Sequence, residues 1–436
     1  MGSAYGTSLS TAEIIAVGTE LLTPFRADTN SLFLTARLNE QGIVVRRKSV
    51  VGDDRCDLGA AVRDALARVD LLVVCGGLGP TEDDLTRETV AEVLGRALRE
   101  DADIVSSLRA RFAARGWSMP ENNRRQARVP DGAVVLNNSR GTAPGLWLEE
   151  DHRVIVLLPG PPRELEPMFR ELLETRLCAR ATQARLYSRV LRVGGRGESH
   201  VEQLVQPVYS RWRKSDPSVE TTVLASPGLV ELHLSTRTAN PAVAESVLEA
   251  ATAELEAVLG NNLFSADGRS LPEVVGGLLE REGFFVATGE SCTGGLVAAS
   301  LIDVPGSSRY VRGGFVAYDN DVKMSVLSVS AELLDSDGAV SQSVALAMAE
   351  GARRLVAANV GVGVTGVAGP GGGSETKPVG TVCVGVVGPG DKRQARTAQL
   401  PGDRGTVRRA ATRFALDLLR RTLQRERGTH TSPRCS

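Results

Sequence analysis

Ser291 lies in a stretch suited to nucleophilic chemistry. An apolar run, Phe284 to Ala287, leads into Glu290-Ser291-Cys292-Thr293-Gly294-Gly295, and Tyr318, Asn320 and Lys323 follow. A serine hydroxyl is a weak nucleophile until a base takes its proton. Histidine is scarce here: of His152, His200, His233 and His430, only His430 lies beyond residue 233. Lysine is the alternative, and the chain holds just five (Lys48, Lys214, Lys323, Lys377, Lys392) among 51 basic residues. A partly buried lysine can lose its proton, whereas arginine keeps its own. Lys323 and Lys377 fall inside motifs; the other three do not. A Ser, Tyr, Lys set activates a hydroxyl without histidine, the neutral amine taking the proton directly or through the phenol. Cys292 is a competing nucleophile beside Ser291. Read as local structure alone, Glu290 to Thr293 also fit a helix cap, Lys323 a surface lysine and Tyr318 an interfacial ring.

Two further glycine-rich stretches carry polar groups. Thr365 to Gly380 links two strand-like runs, and its glycines with Lys377 fit either a phosphate-wrapping loop or a plain flexible one. It lacks the Gly-Lys-Ser/Thr ending of a Walker loop. Gly76-Gly77-Leu78-Gly79-Pro80-Thr81-Glu82-Asp83-Asp84-Leu85-Thr86 follows the apolar run Leu71 to Cys75 and opens a helix, which makes an anion site at the ligand crevice of a parallel sheet. Asp83 and Asp84 beside a phosphate site point to a divalent cation with oxygen ligands. They equally fit a helix cap that offsets the dipole. Gly194 to Ser199 fits a turn or a phosphate-holding helix start.

The elements that must position these residues are legible as alternating patterns. Strand-like runs at Ile14 to Val17, Ile43 to Val51, Leu71 to Cys75 and Val154 to Leu158 alternate with helical periodicity at Asn30 to Glu40, Leu58 to Ala67, Asp84 to Leu94 and Ile104 to Arg115, which predicts a doubly wound parallel sheet. Pro159-Gly160-Pro161-Pro162 closes the last run. A small α+β module follows, with strands at Leu186 to Val193 and on both sides of Ser226-Pro227-Gly228, and helices at Glu198 to Trp212 and Val243 to Leu259. Asn261 to Gly268 reads as a linker. A second α/β region begins near Leu271, and the residues after Arg427 are expected to be disordered. The expected domains are 12–178, 183–262 and 270–426, an α/β fold class throughout.

A net charge of -1 gives no electrostatic footprint for nucleic acid or an anionic membrane. Six widely spaced cysteines without a C-x-x-C pair read as reduced thiols, and no leader or membrane-length apolar run is evident, so a soluble cytoplasmic protein acting on small molecules is expected.

Glu290 to Gly295, Tyr318-x-Asn320-x-x-Lys323, Gly369-Pro370-x-Gly372-Gly373 with Lys377-Pro378-Val379-Gly380-Thr381, and Pro401-Gly402-Asp403-Arg404 together resemble the C-terminal domain of the CinA family (competence/damage-inducible protein A). In stand-alone form that domain is nicotinamide mononucleotide (NMN) amidohydrolase. The resemblance implies deamidation of NMN to nicotinic acid mononucleotide and ammonia, with Ser291 as nucleophile, Tyr318 and Lys323 as activating partners, and no cofactor. It implies substrate contacts from Glu290, Thr293, Gly294, Gly295, Asn320, Gly369, Gly372, Gly373, Lys377 and Arg404. Gly289 stands where many relatives have Ala, a change expected to be harmless.

The Gly76 to Thr86 block, with Gly18-Thr19-Glu20-Leu21-Leu22, Asp28-Thr29-Asn30, Gly141-Thr142-Ala143-Pro144-Gly145 and Leu158-Pro159-Gly160, resembles the molybdopterin-binding-like domain at the N-terminus of the same family. This implies an ADP-ribose pyrophosphatase using a divalent metal (Mg, Mn or Co type), with Glu20, Asn30, Gly77, Gly79, Thr81 and Thr142 around the nucleotide and Asp83 and Asp84 at the metal. Pro24-Phe25-Arg26 departs from the Gly and polar residue common in relatives. The expected partners are NMN and ADP-ribose, with a homodimer as the assembly. Two rivals stand: a regulatory protein that binds nucleotides without turnover, and a first domain that binds molybdopterin.

Overall fold

A computed structural model describes residues 8–424, so the expectation for the residues after Arg427 lies outside the described residues. Internal contacts divide the chain into two compact units: residues up to Tyr187 with Arg237–Ala244, and Ser188–Thr236 with Glu245 onward. Among the described residues no helix is long and apolar enough to cross a membrane.

The first unit runs β1 (Thr11–Val17), α1 (Asn30–Glu40), β2 (Val44–Val51), α2 (Arg55–Leu66), β3 (Leu71–Cys75), α3 (Thr86–Val93), β4 (Leu98–Glu100), α4 (Ala102–Ala113), β5 (Arg128–Pro130), β6 (Val134–Leu136), β7 (Gly145–Glu150), β8 (Arg153–Leu158) and α5 (Pro162–Leu172). Its main sheet has the order β2-β1-β3-β8-β7-β6. The first four strands are parallel and the last two antiparallel. Every residue of β3 is buried, as a strand covered on both faces requires. Alternate residues feed two cores: Ile14, Val73 and Val156 enter one, and Ile15, Leu72, Val74 and Ile155 the other. The Asp54 carboxylate starts α2 by accepting from the N–H groups of Cys56 and Asp57, a cap worth about 1 kcal/mol. Pro162 opens α5, where its missing N–H costs no helical bond. Because β2 lies on one side of β1 and β3 on the other, the connections diverge there and leave a crevice at the strands' C-terminal ends.

In the second unit, β9 (Arg185–Gly194), α6 (Glu198–Tyr209), β10 (Val219–Ser226), β11 (Leu229–Thr238), α7 (Pro241–Leu259) and β12 (Leu263–Ser265) form a four-stranded module of order β10-β11-β9-β12. Asn261 to Gly268 is therefore not a free linker. β12 pairs antiparallel with β9, and Phe264 belongs to the same hydrophobic core as Leu271, Val275 and Leu416. One aromatic side chain outweighs the polar residues around it.

The chain continues through α8 (Leu271–Glu282), β13 (Val286–Glu290), α9 (Leu296–Ile302), β14 (Val311–Val316), α10 (Asn320–Ser325), α11 (Ala331–Asp337), α12 (Gln342–Leu355), β15 (Val360–Gly366), β16 (Thr381–Val387), β17 (Arg393–Gln399) and α13 (Arg404–Gln424). The sheet order is β14-β13-β15-β16-β17, with β14, β13 and β15 parallel and the rest antiparallel. Ser270 and Glu273 cap α8 reciprocally. α12 lies unusually close to β15. A Cβ on Gly361 would sit 2.0 Å from the Ala349 carbonyl oxygen, and one on Gly363 1.9 Å from that of Ala345, so only glycine permits this approach. β13 lies between its sequence successors β14 and β15, a second switch point.

Candidate functional site

Ser291 is the first residue beyond β13. Its N–H donates to the Val364 carbonyl of β15 at 2.9 Å, while the Glu290 carbonyl accepts from Ala317, just beyond β14, at 2.8 Å. The ends of three parallel strands thus fix the serine at the switch point. Gly294 and Gly295 have φ of 61° and 90°, a left-handed turn that L side chains rarely adopt. That turn delivers the chain into α9, and Ser291 is buried.

Lys323, on α10, is 2% exposed. Its Nζ donates to the Tyr318 carbonyl oxygen at 3.0 Å and to Asn320 Oδ1 at 3.3 Å. Both acceptors are neutral. Burial pulls the amine below the usual lysine range, against an opposing pull from Asp319 and Cys292. The sequence placed Lys323 and Tyr318 together, and they are together, but through the tyrosine backbone. The phenol route is not formed: the Tyr318 ring is exposed, and its hydroxyl accepts from Arg404 Nη2 at 3.1 Å. Arg404 Nη1 also donates to the Gly369 carbonyl at 2.7 Å, tying the glycine-rich loop to Tyr318.

Cys292 points into the apolar core, and burial pushes its thiol up to about 12. Glu290 requires a correction. Its carboxylate is fully buried and accepts from Val297 N–H at 3.0 Å, Ala298 N–H at 2.8 Å and the Thr288 hydroxyl at 3.1 Å. It fills the N-terminus of α9 from inside, so neither Glu290 nor those two helix amides face a substrate. Lys377 Nζ donates to the Asp337 carbonyl at the end of α11, at 2.8 Å. Gly372 and Gly373 are exposed in the loop.

Thr293 is fully buried and its hydroxyl has no hydrogen-bond partner. Its carbonyl accepts from Arg408 Nη2 at 2.8 Å. Arg408 was not singled out in the sequence; its signal is the one-turn spacing from Arg404, which places both guanidinium groups against the loops that carry Thr293, Tyr318 and Gly369. Gly289 is another surprise, since a Cβ there would meet the Met348 carbonyl oxygen at 2.8 Å.

In the first unit, a cavity of about 420 Å³ opens at the C-terminal ends of β1, β3 and β8. Glu20, Asn30, Gly77, Gly79, Asp83, Asp84 and Thr142 all line it. Thr81 does not; its N–H instead donates to Asp84 Oδ2 at 2.9 Å, with its hydroxyl on the same oxygen. A Cβ on Gly79 would meet Asp84 Oδ2 at 2.4 Å. Asn30 Nδ2 donates to the Gly160 carbonyl at 2.7 Å. Asn138 was missed: its side-chain oxygen accepts from the Arg140 and Gly141 N–H groups, and its Nδ2 donates to Glu164 Oε2 at 2.9 Å. A buried amide at a loop start leaves no sequence periodicity. Within Pro24-Phe25-Arg26, Arg26 lines the cavity and Phe25 is exposed.

Six carboxylates line this cavity (Glu20, Asp28, Asp53, Asp83, Asp84, Glu164) against one guanidinium, Arg26. That oxygen-rich set fits a hard divalent cation. No group of three or more His, Cys, Asp or Glu among the described residues is arranged to hold a metal unaided.

The family model described as "CinA C-terminal domain" matches residues 268–423, "Probable molybdopterin binding domain" residues 13–179, and "Damage-inducible protein CinA KH domain" residues 188–265. The CinA-like protein of Koribacter versatilis is 45% identical over 418 residues, covering 94% of this chain and 99% of its own. That of Solibacter usitatus is 45% identical over 412 residues, covering 94% and 98%. Among solved structures, CinA from Thermoplasma acidophilum is 35% identical and covers 38% of this chain and 97% of its own, with a TM-score of 0.36. With relatives aligned along nearly their whole length, the chain belongs to the CinA family.

Proposed function

We propose that the C-terminal domain deamidates NMN through Ser291 and Lys323, and that the cavity of the first unit hydrolyses the pyrophosphate of ADP-ribose with a divalent cation. The observation that carries the first part is the hydrogen bonding of Lys323. A neutral amine has two N–H donors; the Tyr318 carbonyl and Asn320 Oδ1 take two hydrogen bonds from Nζ, which leaves the lone pair to accept a proton. Ser291 Oγ adds to the carboxamide carbon of NMN as its proton passes to Lys323. The tetrahedral adduct collapses, the C–N bond breaks, and the protonated amine returns the proton so that ammonia leaves. Water then adds to the acyl ester, the ester bond breaks, nicotinic acid mononucleotide departs, and Ser291 recovers its proton. No cofactor enters. Tyr318 and Arg404 border the substrate rather than relay the proton.

In the first unit, a bound divalent cation would supply charge neutralisation at the pyrophosphate. Asp83 and Asp84 would hold it, while Asn30 and the Gly76 to Gly79 turn orient the nucleotide. This reading places both activities in pyridine nucleotide recycling in the cytoplasm. The decisive assay is ammonia release from NMN by the purified protein with and without EDTA. Release that ignores EDTA is expected; no release from folded protein leaves the binding or regulatory reading in its place.

A further inference from the structure

A second cavity of the Ser188–Thr236 and Glu245 onward unit, about 290 Å³, lies where the β9–β12 module meets α8, α9 and α13. Ser291, Tyr318 and Lys323 do not line it. Its floor is apolar, with Phe264, Leu271 and Leu416 all buried. Its walls carry three guanidinium groups, from Arg192, Arg409 and Arg413, and no Asp or Glu is among the described residues lining it.

The three cations are not equivalently placed. Arg192 Nε lies 3.0 Å from Glu231 Oε1, so that charge is balanced. Arg409 and Arg413 stand one turn apart on α13, which puts like charges on one wall. Arg413 Nη1 donates to Ser226 Oγ and to the Pro227 carbonyl, and Arg409 Nη2 to Thr406 Oγ1 at 3.3 Å. Their direct hydrogen-bond partners are neutral oxygens, while Glu231 beside Arg413 and Asp403 beside Arg409 offset part of the charge. Burial, then the charge of Arg409, works against the charged form of Arg413, with an opposing pull from Glu231; a bound anion adds to that pull. Paired guanidinium groups above an apolar floor match a ligand with one anionic end and one apolar body.

We propose that this cavity binds a small organic anion, a phosphate monoester or carboxylate on an apolar body, with the anionic group on Arg409 and Arg413 and the body against Phe264 and Leu416. The site is independent of the amidase reading. Isothermal titration of the full chain with phenyl phosphate, benzoate and inorganic phosphate tests it and separates the two anion sources. One phenyl phosphate or benzoate per chain is expected, with inorganic phosphate at least about tenfold weaker for want of the apolar contact. Arg409→Gln, at an exposed position that the fold does not need, is expected to weaken binding about tenfold; Arg413→Gln is read alongside it after its folding is checked by circular dichroism. Unchanged affinity in Arg409→Gln, or no binding of either aryl anion to folded wild type, overturns the proposal. Binding that disappears in Ser291→Ala but survives in Arg409→Gln overturns it too, by moving the ligand to the serine.

Discussion

For the proposed amidase, the choice between oxygen and sulfur as nucleophile turns on burial. Thiolate is the reactive form of cysteine, and Cys292, pushed up to about 12 by its apolar surroundings, remains a thiol at any physiological pH. Ser291 needs no ionisation in advance, only a base at the moment of attack. Ser291→Ala is therefore expected to lower ammonia release by roughly a thousandfold or more, while Cys292→Ala keeps it; the reverse pattern would move the nucleophile to sulfur. Lys323→Arg separates charge from proton transfer. Arginine holds its proton, so turnover is expected to fall by roughly 10²- to 10⁴-fold. A lysine base works only when neutral, so under the proposal wild-type kcat/KM is expected to rise with pH through the folded-state value of Lys323, which burial places below the ordinary lysine value. The rise should be absent from the residual activity of the arginine variant. A wild-type profile flat between neutral and strongly alkaline pH removes Lys323 from the role of base.

At the scale of elements, hydrophobic periodicity was a good guide wherever a strand is covered on both faces. Leu71 to Cys75 and Asn30 to Glu40 have the bounds their patterns predicted, the strand by its continuous apolar run and the helix by the Asp28 carboxylate, which accepts locally from Ser31 N–H. Glu290 answers to its local reading. Read as local structure it fits a helix cap, and its carboxylate does accept from the amides of Val297 and Ala298 after the chain turns at Gly294 and Gly295; the substrate contact was what the family resemblance implied. The contact of Lys377 was beyond local reading, its acceptor being the Asp337 carbonyl 40 residues away. The contact of α12 with β15 gives a sharper test of packing. In Gly363→Ala the new methyl meets a backbone oxygen, which cannot turn aside as a side chain can, so either helix or strand must move. A loss of about 1–3 kcal/mol is expected, read from the shift in denaturant midpoint, with ammonia release falling in step because β15 also anchors Ser291 through Val364. A variant as stable as wild type would show that the helix and strand yield readily.

At the scale of the whole molecule, composition and alternation foretold an α/β chain with a smaller middle module, but not which parts share a core. Phe264 decides that. It sits in a run otherwise too polar to read as structure, and it carries β12 into the core of α8 and α13. Arg420 adds to the join, its Nη2 donating to the Asn261 carbonyl at 2.7 Å. A cut within Asn261 to Gly268 therefore opens a core, whereas a cut after Tyr187 keeps the whole sheet and cavity of the first unit. The fragment 1–187 is expected to hydrolyse ADP-ribose in the presence of Mg²⁺ at a rate within about threefold of the full chain, and to stop on addition of EDTA. The fragment 1–265, which leaves Phe264 without its core, is expected to bind more of an apolar dye and to aggregate sooner. Asp84→Asn in the shorter fragment then isolates the charge. An amide oxygen can still accept from Thr81 and hold the turn, so a purely structural Asp84 tolerates the change, while a metal-holding one raises the Mg²⁺ needed for half-maximal rate by roughly tenfold or more. Folded 1–187 that turns over no ADP-ribose at any Mg²⁺ concentration would leave this domain a nucleotide or molybdopterin binder.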